Sequence, residues 1–232
     1  MPEIKLSPAD YDSVIDAALA EDVGAGDVTT RATIPAGRPL AGVLSARSPM
    51  VVAGLPVATA VFARVDPLIE FTPQVADGDR INPGQIIAEV AGPAESVLTG
   101  ERTALNILHM LSAIATETRR YVDAIAGTGC TLLDTRKTIP GLRALSKYAV
   151  RCGGGTNHRM RLDDAILIKD NHIAVAGGIS QAITQAIAAD TGLKVQAECD
   201  TLDQVRDAIA AGADSLLLDN MDTDTLRRAV DI

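Results

Sequence analysis

Short apolar runs alternate with helical stretches from Cys130 to the C-terminus, and this alternation constrains the fold more than any other feature of the chain. Strand–helix repeats with continuously apolar strands are typical of a parallel sheet, either in a barrel or in a doubly wound fold. One helical stretch begins with a capping box at Thr201 and Gln204. The predicted strands are residues 131–135, 165–171, 194–200 and 215–220.

The preceding part of the chain has a different pattern. Ser7, Pro8 and Asp10 predict the start of an amphipathic helix, and residues 40–97 contain short predicted strands and turns. A long amphipathic helix is predicted over 98–127. This start places Arg102 in the first turn, where a cation and a helix N-terminus would together attract an anion. An ion pair with Glu101 or another acid is the alternative.

Composition excludes several classes of protein. The chain has 232 residues and a net charge of −9, which argues against general nucleic-acid binding. It contains no apolar run long enough for a transmembrane helix and no secretory signal pattern. Its three cysteines have no metal-ligand spacing, which indicates reduced thiols. We therefore expect a cytoplasmic protein that contacts neither membrane nor nucleic acid.

Basic residues are concentrated in one segment of this acidic chain. Between Arg136 and Lys169 there are eight Lys or Arg residues and only two acids, Asp163 and Asp164. A small basic region on an acidic body favours a small polyanionic ligand. A chance cluster on solvent-exposed helix faces is the alternative.

All four predicted parallel strands end in charged or amide residues, and ligands bind at the carboxyl ends of such strands. The cations at these ends could bind carboxylates or phosphates, whereas the acids could bind Mg²⁺ together with a polyphosphate. Ion pairing between the two groups is the alternative. The cations are Arg136, Lys137 and Lys169, and the acids are Glu198 and Asp219, with Asp200 as a further candidate.

The loop between the first two predicted strands contains Gly153-Gly154-Gly155 followed by Asn157-His158-Arg159. Consecutive glycines allow a ligand to approach the backbone closely, so we predict that this loop contributes to binding. A flexible linker is the alternative. His158 is a candidate acid or base.

The motifs "DTRKTIPGLR", "KYAV", "GGG.NHR" and "L.DAILIKDNH", with "ERTALN" upstream and "LLLDN" downstream, resemble the quinolinate phosphoribosyltransferase family from about Ser7 to the C-terminus. The family converts quinolinate and phosphoribosyl pyrophosphate to nicotinate mononucleotide, pyrophosphate and CO₂ in NAD biosynthesis, with Mg²⁺. The resemblance implies an N-terminal α/β sandwich domain, residues 1–112, and an incomplete α/β barrel, residues 113–232. The family continues beyond the position of Ile232, so we expect the last barrel strands, with their phosphate-binding loop, to be missing.

The resemblance also implies roles for individual residues. Quinolinate would be bound by Arg136, His158, Arg159 and Lys169, and by Arg102 from a neighbouring subunit, which implies a homodimer or a higher homo-oligomer. Thr135 would be a further substrate-binding residue. Lys137 would bind phosphoribosyl pyrophosphate, whereas Glu198 and Asp219 would bind its ribose hydroxyls and the metal. Lys137, Glu198 and Asp219 are thus the implied catalytic residues. Gln196 departs from the family, which usually has an acid there.

Two other functions are compatible with the same residues. One is a non-catalytic paralogue that binds anions, which the expected absence of the last strands favours. The other is a class I aldolase that uses Lys169 as a Schiff-base nucleophile.

Overall fold

The computed structural model describes residues 6–232, which form two compact units divided after His158. The elements show a mixed α/β fold, as predicted. The first unit contains α1 (Pro8–Val23), α2 (Val28–Thr33), β1 (Pro39–Ser45), β2 (Met50–Val51), α3 (Leu55–Val65), β3 (Glu70–Pro73), β4 (Arg80–Ile81), β5 (Ile86–Pro93), α4 (Ala94–Ala124) and α5 (Arg143–Cys152). The second contains β6 (Ile166–Ile168), α6 (Asp170–Ala176), α7 (Ile179–Ala188), β7 (Val195–Cys199), α8 (Leu202–Ala210), β8 (Ser215–Leu218) and α9 (Thr223–Val230).

The first unit is built on an antiparallel sheet in the order β1-β5-β3, with β2 and β4 as a separate short pair. Helices α3 and α4 pack together beside it. The core is almost wholly aliphatic, as the 2% aromatic content of the sequence requires. Its one stacked aromatic pair among the described residues is Phe62 and Phe71, with ring centroids 5.2 Å apart. Helix α5 packs against α4, and the compact unit that contains both helices runs to His158.

Helix α1 begins where the sequence predicts. The Asp10 carboxylate accepts hydrogen bonds from the Ser7 N–H, at 2.9 Å, and from the Ser7 hydroxyl, at 2.7 Å. These two bonds hold the pKa of Asp10 below its ordinary value, since they stabilise the charged carboxylate. Ile15 on the opposite face of the helix is fully buried.

Helix α4 begins at Ala94, earlier than the predicted residue 98. Arg102 therefore does not lie in the first turn, and the argument that placed a cation at the helix N-terminus is wrong. The start was missed because β5 runs directly into the helix at Pro93, without a Ser, Thr, Asp or Asn cap in the sequence.

The amphipathic pattern of α4 is confirmed. Leu108, Leu111 and Ala115 are buried, whereas Arg102 and His109 lie on the exposed stripe. This polar stripe makes the 31-residue helix unsuitable for a bilayer, although its length would suffice. Across residues 6–232, no helix combines the length and the apolarity that a membrane span requires.

Residues 131–135 do not form the predicted strand. Leu133 makes one isolated parallel bridge to Thr156, supported by hydrogen bonds from the Thr156 N–H to the Leu132 carbonyl, at 2.8 Å, and from the Asp134 N–H to the Thr156 carbonyl, at 3.1 Å. The pairing stops there because the partner segment leaves α5 through a turn at Gly153 and Gly154, shortly before Thr156. The apolar run is thus extended without being part of a sheet.

The second unit contains a parallel sheet in the order β6-β7-β8, with Ile168 opposite Ala197 and Cys199 opposite Leu218. The three predicted strands are confirmed with narrower bounds. Alternate residues of the central strand, among them Ala197 and Cys199, are fully buried in a cluster with side chains of α7, α8 and α9. The described helices of this unit therefore cover the same face of the sheet.

Candidate active site

The predicted site residues are divided between the two units. The first unit holds Arg102, Thr135, Arg136, Lys137 and His158, and the second holds Arg159, Lys169, Glu198 and Asp219. Each part has its own internal geometry.

Asp134 connects two segments of the first unit that carry predicted site residues. Its side chain is 7% exposed and accepts hydrogen bonds from Lys147 Nζ, from Asn157 Nδ2 at 2.6 Å and from the His158 N–H at 2.8 Å. Lys147, on α5, is 2% exposed and also donates to the His158 carbonyl at 3.0 Å. A buried ion pair is tolerated only with such additional hydrogen bonds. Asp134 and Lys147 therefore fix the backbone of His158 relative to the segment that contains Thr135 to Lys137.

Thr135, Arg136 and Lys137 follow Asp134 in a tight turn. The Lys137 N–H donates to Thr135 Oγ1 at 3.0 Å, and the Thr138 N–H donates to the Arg136 carbonyl at 3.0 Å. The Lys137 side chain is exposed, whereas Arg136 is half-buried. Arg136 Nε is shielded from solvent and has no hydrogen-bond partner among the described residues. A buried donor without an acceptor is costly, so this nitrogen fits a site that an anion completes.

Two of the three glycines of the loop, Gly153 and Gly155, lie in close packing contact with neighbouring residues. A Cβ at Gly153 would clash with the Ala115 carbonyl of α4 and lie 2.6 Å from Thr118 Cβ. A Cβ at Gly155 would lie 2.7 Å from Val150 Cγ1. The loop is therefore packed against α4, which contradicts the flexible-linker alternative and leaves the predicted contribution to binding as a prediction.

Arg102 lines a cavity of about 550 Å³ in the first unit, between α4 and the end of β1. Apolar side chains such as Leu105 and Leu108 form one wall. Neither Arg136 nor His158 lines this cavity. Arg102 thus belongs to a part of the first unit separate from the Asp134 network.

In the second unit, Lys169 and Glu198 form an ion pair across neighbouring strand ends. Lys169 Nζ donates to Glu198 Oε2 at 2.8 Å, with the Lys169 side chain 41% and the Glu198 side chain 13% exposed. The ion-pair alternative is therefore correct for these two residues. The Lys169 N–H donates to His172 Nδ1 at 2.9 Å, so His172 caps the start of α6. Nearby, Arg159 Nη1 donates to the Ala165 carbonyl at 3.4 Å.

Asp219 follows the third strand of the same sheet. Its N–H donates to the Cys199 carbonyl at 3.0 Å, which continues the ladder beyond β8, and its carboxylate accepts from Asn220 Nδ2 at 3.0 Å. Because alternate residues of a strand point to opposite faces, the register places Lys169, Glu198 and Asp219 on the face opposite the helices. One cation and two carboxylates thus share this edge of the sheet.

The two carboxylates of Glu198 and Asp219 suit a magnesium ion that is bound together with a phosphate-containing substrate. No cluster of three or more His, Cys, Asp or Glu side chains that could hold a metal occurs within residues 6–232. Mg²⁺ bound to substrate phosphates keeps several waters and needs only one or two carboxylates. Glu198 and Asp219 therefore fit this kind of ion better than a resident, fully coordinated one.

Family models match both parts of the chain. The model for "Quinolinate phosphoribosyl transferase, N-terminal domain" matches residues 27–112, and the model for the C-terminal domain matches residues 114–232. The chain belongs to the quinolinate phosphoribosyltransferase family. The resemblance stated from the sequence motifs is thereby confirmed.

Curated relatives in this family are similar over most of the chain. The probable nicotinate-nucleotide pyrophosphorylase [carboxylating] of Synechocystis is 45% identical over 91% of this chain and 72% of its own length. The nicotinate-nucleotide pyrophosphorylase [carboxylating] of Mycobacterium leprae is 44% identical over 93% of this chain and 78% of its own.

Solved structures of the family have the same fold. NadC from Streptococcus pyogenes superposes with a TM-score of 0.93 at 42% identity and covers 98% of this chain and 81% of its own. The nicotinate-nucleotide pyrophosphorylase from Francisella tularensis has a TM-score of 0.94 at 40% identity, with 100% of this chain and 82% of its own covered.

Reasoning from the sequence missed Asp134, Lys147 and Asn157 as the residues that organise the family's central motifs here. One signal was present in the sequence. Helical spacing places Lys147 on one face with Ala144 and Val150, three positions away on either side, and Lys147 is buried on α5. A lysine on an apolar helix face requires a buried partner, and Asp134 is that partner.

Proposed function

We propose that this chain transfers the phosphoribosyl group of phosphoribosyl pyrophosphate to quinolinate, with loss of CO₂. The products are nicotinate mononucleotide and pyrophosphate, and the reaction belongs to NAD biosynthesis. The predicted enzyme class is confirmed by family membership and by relatives named nicotinate-nucleotide pyrophosphorylase [carboxylating]. The geometric observation that carries the proposal is that Arg136 Nε is buried and has no hydrogen-bond partner among the described residues.

Quinolinate carries two carboxylates, and the cationic part of the site is suited to bind them. Thr135, Arg136 and His158 come from the segments that Asp134 joins, whereas Arg159 and Lys169 come from the second unit. Arginine binds a carboxylate through two parallel hydrogen bonds, and lysine binds it as a point charge. Arg102 would complete this set from a neighbouring subunit.

The phosphoribosyl donor is assigned to the remaining residues. The exposed Lys137 binds its phosphates, and the carboxylates of Glu198 and Asp219 accept hydrogen bonds from the ribose hydroxyls. The same two carboxylates hold Mg²⁺, which supplies charge neutralisation for the pyrophosphate when it is bound. Because Lys169 already pairs with Glu198, it links the two substrate positions within the second unit.

The mechanism follows from these placements. The quinolinate nitrogen attacks the anomeric carbon as the bond to pyrophosphate breaks, and Lys137 stabilises the departing negative charge. Glu198 and Asp219 orient the ribose, whose anomeric carbon acquires oxocarbenium character. The pyridinium product then loses the carboxylate next to its nitrogen as CO₂. The electron pair left on that ring carbon is stabilised by the adjacent positive nitrogen and by the cations Arg136 and Lys169, and the carbon takes a proton from water. No covalent nucleophile is required.

The proposal extends to the architecture of the chain. We divide it into an N-terminal α/β sandwich domain, residues 1–112, and a partial α/β barrel, residues 113–232; residues 1–5 lie outside the described part. Helices on one face of the parallel sheet support a barrel segment, since a doubly wound sheet has helices on both faces. A homodimer or higher homo-oligomer in the cytoplasm remains part of the proposal.

The experiment that tests this function compares Lys137→Ala with Lys194→Ala, since both lysines are exposed and only the first has an assigned role. We expect Lys137→Ala to abolish formation of the mononucleotide while calorimetric binding of quinolinate and the unfolding midpoint stay unchanged. Lys194→Ala should leave the rate unchanged. A near-normal rate in Lys137→Ala would overturn the assigned role.

The same assay separates the two alternatives. Wild-type protein that binds quinolinate without any turnover would indicate the non-catalytic paralogue. The aldolase is disfavoured because Lys169 is ion-paired with Glu198, and a Schiff-base nucleophile must be an uncharged amine. Borohydride treatment with a carbonyl substrate should therefore leave Lys169 unlabelled.

A further inference from the structure

The cavity of the first unit contains a second arginine besides Arg102. Arg47, in the loop after β1, lines the same space of about 550 Å³. His109 lies two turns along α4 from Arg102 and also lines it. Two arginines and one histidine therefore line a single cavity, and Glu101 is the acid that lines it.

Neither arginine is neutralised within the described part of the chain. Arg47 and Arg102 are both exposed and form no ion pair or side-chain hydrogen bond with residues 6–232. Several other arginines of the first unit are ion-paired, among them Arg64 with Asp12 and Asp16, Arg80 with Asp123, and Arg120 with Glu117. In a protein of net charge −9, two unpaired arginines at one cavity require an explanation.

The rest of the lining suits an anion with an organic body. Part of the lining is apolar and includes Val43, Leu105 and Leu108, and Ser45 and Ser48 also line the cavity. Guanidinium groups bind carboxylates and phosphates through paired hydrogen bonds, and two of them are matched to a ligand with at least two negative charges.

We propose that Arg47 is a further substrate-binding residue, which acts together with Arg102 on an oxyanion of one substrate. The inference rests on the proposed function, since Arg102 there completes the site of a neighbouring subunit. The oxyanion is either a carboxylate of quinolinate or the pyrophosphate group of the phosphoribosyl donor. In both cases the cavity is the surface that the first unit contributes to the substrate of another copy.

The test uses Arg47→Gln and Arg47→Lys, with Arg38→Gln as the matched control. Arg38 is an exposed arginine of the same unit that does not line the cavity. We expect Arg47→Gln to lower kcat/KM by about 10- to 100-fold, the effect of losing a charge-assisted hydrogen bond. Arg47→Lys should recover part of the loss, and Arg38→Gln should cause none.

The two sources of the oxyanion are separated by varying each substrate at saturation of the other. A loss confined to kcat/KM for quinolinate identifies a carboxylate, and a loss confined to kcat/KM for the donor identifies the pyrophosphate group. If kcat/KM of Arg47→Gln is within about twofold of wild type for both substrates, the proposal is overturned.

A direct binding measurement tests the role of Arg47 even if the proposed function is wrong. If the wild-type protein shows no turnover, the proposed function fails, and calorimetric titrations with quinolinate and with inorganic pyrophosphate decide on the cavity. Binding of either anion that weakens by about tenfold in Arg47→Gln supports the assignment. Binding that is absent, or is equal in Arg47→Gln and wild type, contradicts it.

Discussion

Asp134 and Lys147 show how single residues make the candidate site rigid. Both side chains are almost fully buried, and together they bind the backbone N–H and carbonyl of His158. Asn157 adds a third donor to Asp134 and donates to the Lys147 carbonyl at 2.9 Å. Each buried polar group of the pair therefore has partners, as a charge removed from water requires.

Breaking this pair should cost far more than removing an exposed charge. Lys147→Met leaves the buried Asp134 carboxylate without its cation, and we expect the free energy of unfolding to fall by about 3–5 kcal/mol. Urea unfolding followed by circular dichroism measures the change, with Lys137→Met as an exposed control from the same unit. A loss below about 1 kcal/mol, the range of a surface pair, would show that the carboxylate is not buried in solution.

The three cysteines should differ sharply in reactivity. Burial raises the pKa of Cys152 to about 12 and that of Cys199 to about 11, so neither forms much thiolate at pH 8. Cys130 is exposed. We therefore expect one thiol to react rapidly with a disulfide reagent in the native protein, and Cys130→Ser to abolish that phase. Two or three rapid thiols in the native protein would contradict the burial of Cys152 and Cys199.

At the scale of elements, α4 is the support on which the first unit is assembled. It packs against α3 and α5, and its Ala115 carbonyl and Thr118 side chain lie against the loop that begins at Gly153. The glycine at this position is required by the close approach of two backbones, since its φ of −72° is accessible to any residue.

Gly153→Ala should therefore destabilise the protein through a steric clash alone. The added methyl group meets the helix backbone at Ala115, which cannot move cheaply, and we expect a loss of about 1–3 kcal/mol. Gly42→Ala is the control, since a Cβ there would lie 3.9 Å from Leu40 Cδ2 and Val90 Cγ1, an ordinary contact. Equal unfolding midpoints for the two variants would contradict the packing at Gly153.

The local pattern of apolar and polar residues was sufficient to predict some helices and strands but not others. The strands around Ile168, Ala197 and Leu217 were predictable because continuous apolar runs indicate buried parallel strands. The run at Leu133 has the same composition, but whether it joins a sheet depends on which segment lies beside it. The start of α4 was missed because Pro93 gives no capping signal, which also misplaced Arg102.

The charged residues of the candidate site that lie at the ends of strands could be predicted from the sequence. Lys169 and Glu198 were named from the sequence, and the structure brings them within 2.8 Å. The contacts of Asp134 and Gly153 could not be predicted, because burial and packing against distant segments are properties of the folded chain. Arg47 was missed for the same reason, since it meets Arg102 only through the fold.

At the scale of the whole molecule, the proposal requires that each site combine residues of two subunits. Arg102 lies in a cavity that neither Arg136 nor His158 lines, which supports a role in the site of another copy. Variants in Arg102 and in Lys169 should then inactivate different halves of a shared site.

Mixing the two inactive variants should restore activity. If Arg102→Ala and Lys169→Ala dimers exchange subunits at random, half are hybrids with one intact site each, which gives about one quarter of wild-type activity. The recovery is followed by mononucleotide formation over the time of exchange, with either variant alone as the control. No recovery after exchange, verified by mass spectrometry, would place Arg102 in the site of its own subunit.

The proposed reaction is tested most directly by following the carboxyl group next to the quinolinate nitrogen. Quinolinate labelled at that carbon is incubated with the protein and Mg²⁺, with and without phosphoribosyl pyrophosphate, and released CO₂ and nicotinate mononucleotide are both quantified. We predict one labelled CO₂ for each mononucleotide formed, and none without the phosphoribosyl donor. Label retained in the mononucleotide, or no mononucleotide at all with both substrates present, would contradict the account.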